Sequence, residues 1–151
     1  MPRVVIIYDS RTGNTEKMAN AVADGARSVD GVDVVLVKVS PLVGFRVKIM
    51  DLEEAHGIIL GSPTHYRTIT SRFSTLLDKV VGSSLKGKVG GAFGSYLWEG
   101  EAMVDLNRAM IGSGMELISE GVRVKGAPSA DDLTQCYMLG KVVALRVAAK
   151  G

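Results

Sequence analysis

The apolar residues of this chain change their period as the sequence proceeds, and that alternation constrains the fold more tightly than any other feature. Val4-Val5-Ile6-Ile7-Tyr8 is a continuous β-branched run, the pattern of a strand covered on both faces. Met18, Ala19, Val22, Ala23 and Ala26 then recur at helical spacing. Val32–Val39 predicts a second strand and His56–Leu60 a third, with Pro41–Glu54 between them reading as loop plus one short helix. Phe73, Leu76, Leu77, Val80 and Val81 line one face of an amphipathic helix. Lys88–Phe93 predicts a fourth strand, and Met103, Leu106 and Met110 a helix ending near Gly112 or Gly114. Met115–Val124 carries a fifth strand. After Pro128, Ser129 is placed to cap a last helix whose buried face holds Leu133, Cys136, Gly140, Val143 and Val147.

The order βαβαβαβαβα implies an α/β three-layer sandwich, a five-stranded parallel sheet of order 2-1-3-4-5 with helices on both faces. The 151 residues suffice for one such domain, and 1–151 is read as one. Ligands of such sheets bind beyond the strands' carboxyl ends, at the switch point of the strand order. Function is therefore expected just after Tyr8, Leu60 and Phe93.

Composition narrows the classes. The 18 basic and 16 acidic residues leave a net charge of +2, too mild and dispersed for a nucleic-acid partner. The single cysteine, Cys136, excludes an internal disulfide framework, and with two histidines, His56 and His65, no di-iron centre can be assembled; no metal site is expected. No apolar run approaches the ~18 residues of a membrane span, and the Val4–Ile7 run is too short for a signal-peptide core. A soluble, cytoplasmic domain without a membrane partner is expected. Only three Phe, four Tyr and one Trp are present, so the core must be largely aliphatic. Four of those rings, Tyr8, Tyr66, Tyr96 and Trp98, are expected at the strands' carboxyl ends, around the crevice.

Ser10-Arg11-Thr12-Gly13-Asn14-Thr15-Glu16 follows the first strand and enters a helix. Free backbone N–H groups, the positive end of the helix dipole and several hydroxyl donors together make a phosphate site. Any one of these residues alone would read as no more than an N-cap, Thr12 or Asn14 for example, but six consecutive residues of this kind point to phosphate. After the third strand come Ser62-Pro63-Thr64-His65-Tyr66, and after the fourth Gly94-Ser95-Tyr96-Leu97-Trp98 and Gly100. Both offer backbone amides and flat rings.

Asp9–Glu16 resembles the phosphate loop of flavodoxins, Ser/Thr-x-Thr-Gly-Asn-Thr. Gly61-Ser62-Pro63-Thr64, Gly91–Ala102 and Glu120–Lys125 are similar to the flavodoxin domain of flavodiiron proteins, and the likeness covers nearly the whole chain. The resemblance implies an FMN cofactor. Its phosphate would lie on Ser10, Arg11, Thr12, Gly13, Asn14 and Thr15. Its ring would lie between Ser62, Pro63, Thr64, His65 and Tyr66 on one side and Gly94, Ser95, Tyr96, Leu97, Trp98 and Gly100 on the other. It further implies an electron carrier between a reductase and an acceptor, with no catalytic acid or base. Met115–Val124 has no room for the ~20-residue insertion of long-chain flavodoxins, so the short-chain type is expected.

Dedicated carriers of that family are typically acidic. Here Arg11, Arg67 and Arg72 stand against Asp9, Glu99 and Glu101, a balance expected to destabilise the anionic reduced flavin less. The loop Ser62–Thr68 also lacks the glycine whose peptide often turns over toward the flavin in flavodoxins. The alternative is an FMN-dependent NAD(P)H:quinone reductase of the same fold, favoured by Arg67 and by Leu85-Lys86-Gly87-Lys88-Val89-Gly90. A non-redox binding module is a third reading. A phosphoacceptor domain fails because Gly61-Ser62 stands where the aspartate is needed. Gly82–Lys88 lacks the Ser/Thr of a nucleotide-binding loop, and Cys136 lies in a helical pattern without an arginine loop.

Overall fold

The computed structural model describes residues 1–10, 13–39, 49–64, 78, 85–96 and 102–150. Among them, six parallel strands form one sheet: β1 (Arg3–Tyr8), β2 (Asp33–Lys38), β3 (Gly57–Gly61), β4 (Val89–Tyr96), β5 (Glu116–Leu117) and β6 (Val122–Lys125). Four helices accompany them: α1 (Asn14–Arg27), α2 (Ile49–Glu54), α3 (Ala102–Gly112) and α4 (Ala130–Lys150). The order is β2-β1-β3-β4, with β5 and β6 both on the outer side of β4.

Alternation along β1 explains the three layers. Val4, Ile6 and Tyr8 join the core beneath α1 and α4, whereas Val5 and Ile7 join the core with Leu52, Leu106 and Met110 on the opposite face. Each such side chain, fully buried, contributes roughly 1.5–3 kcal/mol. Both cores are mainly aliphatic, with Phe93 as the largest fully buried side chain.

On the first face, α1 and α4 cross in close contact because each has a glycine at the crossing. A Cβ on Gly25 would lie 1.8 Å from the Tyr137 carbonyl oxygen, and one on Gly140 1.9 Å from that of Val22. At the start of α4, Ser129 Oγ accepts the Asp132 N–H at 3.1 Å while the Asp132 carboxylate accepts the Ser129 N–H at 2.9 Å. That reciprocal pair is a capping box. Cys136 is buried on the same helix, its thiol pushed up to about 12 by burial first and Asp132 second. His56 is structural, its Nδ1 accepting the Arg3 N–H at 3.1 Å.

The expected single fifth strand is corrected: Met115–Val124 holds two short strands. Leu117 pairs with Gly90 and Val122 with Phe93, so 118–121 oppose only Gly91 and Ala92. The surplus residues leave the ladder as a bulge. Gly121 closes it at φ 98°, where a side chain would meet both Met103 and the Ala92 carbonyl. The short helix expected within Pro41–Glu54 is α2. The apolar positions of the helix expected between the third and fourth strands, Phe73, Leu76, Leu77, Val80 and Val81, lie outside the described residues.

Candidate functional site

The carboxyl ends of β1, β3 and β4 are joined side by side by backbone hydrogen bonds that continue past the strands themselves. Asp9 N–H donates to the Gly61 carbonyl at 3.0 Å, Ser62 N–H to Phe93 at 3.2 Å, and Thr64 N–H to Ser95 at 2.9 Å. Residues 62–64 thus run alongside β4 as an extension of β3. Gly94 permits the approach: a Cβ there would stand 2.3 Å from the Ser62 carbonyl oxygen. The three segments singled out from the sequence therefore meet at one edge of the sheet.

The start of α1 opens onto that edge. Gly13 is its N-cap, at φ 93°, a left-handed conformation that favours glycine. Asn14 is the first helical residue rather than the cap, no side chain caps from Gly13, and Thr12 lies outside the described residues. Ser10 takes over part of the capping. Its Oγ accepts the N–H of Gly13 at 3.1 Å and of Glu16 at 3.3 Å. Asp9 is fully buried beneath this turn, its carboxylate accepting the Ser10 N–H at 2.9 Å. The N–H groups of Asn14 and Thr15 have no carbonyl one turn back within the helix.

Thr15 and Ser95 face each other across the gap between α1 and β4, Oγ to Oγ at 2.8 Å, both buried. Two hydroxyls carry two protons, and the bond between them uses one. Among the described residues the second proton has no acceptor. Ser10 Oγ, already accepting twice, likewise has a proton with no acceptor among them. Leaving the proton of the buried Thr15–Ser95 pair unmet costs roughly 1–3 kcal/mol, whereas Ser10 is half-buried. An oxyanion at the start of α1 would satisfy both protons, together with the N–H groups and the helix dipole.

A second group of side chains fastens the first turn from outside. Glu16 Oε1 accepts the Tyr8 hydroxyl at 3.0 Å and the Lys38 ammonium at 3.1 Å. Lys38 first, then Tyr8, hold the Glu16 carboxyl below its ordinary value. Burial first, and then Glu16, raise the Tyr8 phenol to about 12. Sequence reading missed this clasp: the strand order puts β2 beside β1, but only the register, with Lys38 paired to Tyr8, brings Lys38 within reach of Glu16.

Other expectations are changed by the geometry. Tyr8 does not line the crevice; its ring is in the core beneath α1. The strand's alternation sends position 8 to the same face as Val4 and Ile6. Ser62 is fully buried and its hydroxyl donates to the Pro63 carbonyl at 2.9 Å, so it presents backbone rather than side chain. Pro63, Thr64 and Tyr96 are half-buried at the sheet's end, and the Tyr96 carbonyl accepts the Gly126 N–H at 2.7 Å. Arg11, Thr12, His65, Tyr66, Leu97, Trp98 and Gly100 lie outside the described residues, as do Arg67, Arg72, Glu99 and Glu101.

Among the described residues, no group of three or more His, Cys, Asp or Glu is arranged to hold a metal, and no helix is long and apolar enough to cross a membrane. A separate concavity of about 950 Å³ lies between α3 and the β5–β6 edge, and none of the candidate residues lines it.

A family model described as Flavodoxin matches residues 6–140. The chain is 40% identical over 148 residues to a nitric oxide reductase of Moorella thermoacetica, covering 97% of this chain and 36% of that protein. It is 32% identical over 148 residues to a rubredoxin-oxygen oxidoreductase of Megalodesulfovibrio gigas, covering 98% and 36%. The chain thus spans about a third of the length of these two curated relatives. Among solved structures, a flavodoxin from the domain Archaea superposes with a TM-score of 0.86 at 34% identity, covering 97% of this chain and 99% of the other. The rubredoxin oxygen:oxidoreductase of Desulfovibrio gigas superposes with a TM-score of 0.89 at 34% identity, covering 98% and 36%.

Proposed function

Because the chain belongs to the flavodoxin family, whose model spans most of its length, we propose that residues 1–151 act as one FMN-binding electron-transfer unit between a reductase and a redox acceptor. The observation that carries this reading is the set of hydroxyl protons at the start of α1, from Ser10 and the Thr15–Ser95 pair, that lack acceptors among the described residues. A phosphate monoester supplies those acceptors, and FMN is the phosphate-bearing flavin of this family.

Ser10, Gly13, Asn14 and Thr15, with Arg11 and Thr12, would hold the phosphate. Ser62, Pro63 and Thr64 would present backbone to the ring from the β3 extension, with Gly94, Ser95 and Tyr96 beside them on β4. His65, Tyr66, Leu97, Trp98 and Gly100 complete the proposed ring site. When bound, FMN supplies the redox chemistry through its isoalloxazine ring.

The chain's own residues position and shield. Gly13 bends the loop so that successive N–H groups converge, and Ser10 holds that bend through two of them. The Gly94 approach keeps the 62–64 segment against β4, fixing the wall on which a planar ring would rest. The longer relatives are named for nitric oxide and oxygen reduction. The part proposed for this chain in such chemistry is to deliver electrons, in contact with a partner at the crevice edge.

The test is a pair of rates on the FMN-loaded protein. Chemically reduced protein mixed with cytochrome c, as a protein acceptor, is expected to be reoxidised rapidly. Steady-state NAD(P)H oxidation with a quinone is expected to stay at background. Sustained NAD(P)H:quinone turnover would replace the carrier with the reductase reading. A preparation that takes up no flavin would leave only a non-redox module.

A further inference from the structure

Resting on the reading that α1 opens onto the FMN phosphate, we propose that Ser95 is a positioning residue: it donates its hydroxyl proton to Thr15 Oγ, thereby turning the Thr15 proton toward the phosphate and helping to select a phosphorylated flavin.

The 2.8 Å contact alone does not say which hydroxyl donates. The surroundings of the pair do. If Thr15 donated, the unused proton would belong to Ser95, which lies within β4 at 6% exposure and whose carbonyl is already engaged by the Thr64 N–H. Among the described residues nothing there accepts it, and Ser95 is buried inside the strand rather than at the open start of the helix. If Ser95 donates, the unused proton belongs to Thr15, in the first turn of α1. It then shares a neighbourhood with the Ser10 proton, the N–H groups of Asn14 and Thr15 and the positive end of the helix dipole. One arrangement strands a buried donor, and the other adds it to a set of donors that converge on one acceptor.

Ser95 is well placed for this role. Alternation along β4 puts Ser95 on the face of Val89 and Phe93, beneath α1, so its hydroxyl is directed away from the opposite face of the sheet. The Ser95 hydroxyl is paired with Thr15, and its influence on the phosphate would pass through that residue. The Ser95 carbonyl holds Thr64 on the β3 extension. Thr15 is fastened to the same strand that carries the ring-facing segment, so the phosphate turn cannot drift away from it.

The experiment titrates FMN and riboflavin into apoprotein by fluorescence, using wild type, Ser95→Ala, Thr15→Val and the double variant. Ser95→Ala is expected to weaken FMN binding about tenfold and to leave riboflavin within about twofold. Thr15→Val is expected to weaken FMN at least as much. In the double variant, removing Ser95 should add no further loss, because its effect travels only through Thr15. Ser95→Cys, nearly the same volume with a weaker donor, should fall between wild type and Ser95→Ala, and carries the test if the alanine variant does not fold. Equal weakening of FMN and riboflavin, or losses that add in the double variant, would overturn the proposal. If wild type itself showed no preference for FMN over riboflavin, the phosphate reading would fall, and this inference with it.

Discussion

Gly94→Ala should damage stability and flavin binding together, because this position holds two strand ends in contact. The new Cβ would lie 2.3 Å from the Ser62 carbonyl oxygen, whereas ordinary contacts begin at 3.4 Å. Roughly 1 Å of separation must therefore open between β4 and the β3 extension. Two hydrogen bonds bracket the contact, Ser62 N–H to Phe93 at 3.2 Å and Thr64 N–H to Ser95 at 2.9 Å, and neither survives such a shift unchanged. Overpacking costs about 1–3 kcal/mol and each of the two weakened bonds about 0.5–1.5 kcal/mol, giving a loss of roughly 2–6 kcal/mol. For a chain of this length that is a Tm lower by about 4–24 °C. Differential scanning calorimetry of the apoprotein, with FMN titration of the folded fraction, measures both effects. Gly112→Ala is the control: a Cβ there meets nothing within 4 Å, and alanine favours the helix by up to about 1 kcal/mol. Unchanged Tm and FMN affinity in Gly94→Ala would refute the close approach of 62–64 to β4.

Gly140→Ala places a Cβ 1.9 Å from the Val22 carbonyl oxygen and should cost at least ~2 kcal/mol, seen as a lower urea midpoint at unchanged slope. The Cys136 thiol, pushed up to about 12 and buried, should resist iodoacetamide at about pH 8 in the folded protein and react promptly once it is unfolded. The Glu16 carboxyl is held below its ordinary 4.5 by Lys38 and then Tyr8. Its contribution to stability is therefore full above that pH and is lost as the pH falls through the folded value. Denaturation curves of wild type and Glu16→Gln should stay apart above the ordinary value and converge as the pH falls below about 4.5, and a gap that stays constant into acid would contradict the clasp.

Much of the architecture was legible because its signals are periodic. β1 follows a continuous β-branched run, and α4 starts at the serine that caps it. The break between β5 and β6 was not legible, because Ile118 and Val122 both look like strand residues and only pairing with β4 shows the surplus. At the site, the Ser10–Thr15 run announced an anion-binding turn by its residue types alone. The roles within the run came from geometry: Ser10 accepts two N–H groups, and Ser95 faces Thr15, 80 positions away. Tyr8 was misplaced because nearness to a strand's carboxyl end does not fix which face a side chain takes. Its parity with Val4 and Ile6 does, and that sends it into the core.

The central claim is that the start of α1 is built for the phosphate of a flavin mononucleotide. Its most direct measurement is the ratio of dissociation constants of the wild-type apoprotein for riboflavin and FMN, at matched ionic strength. The account predicts FMN binding at least ~100-fold tighter, from the charge-assisted bonds only the phosphate can make. Equal affinity for the two flavins would contradict it.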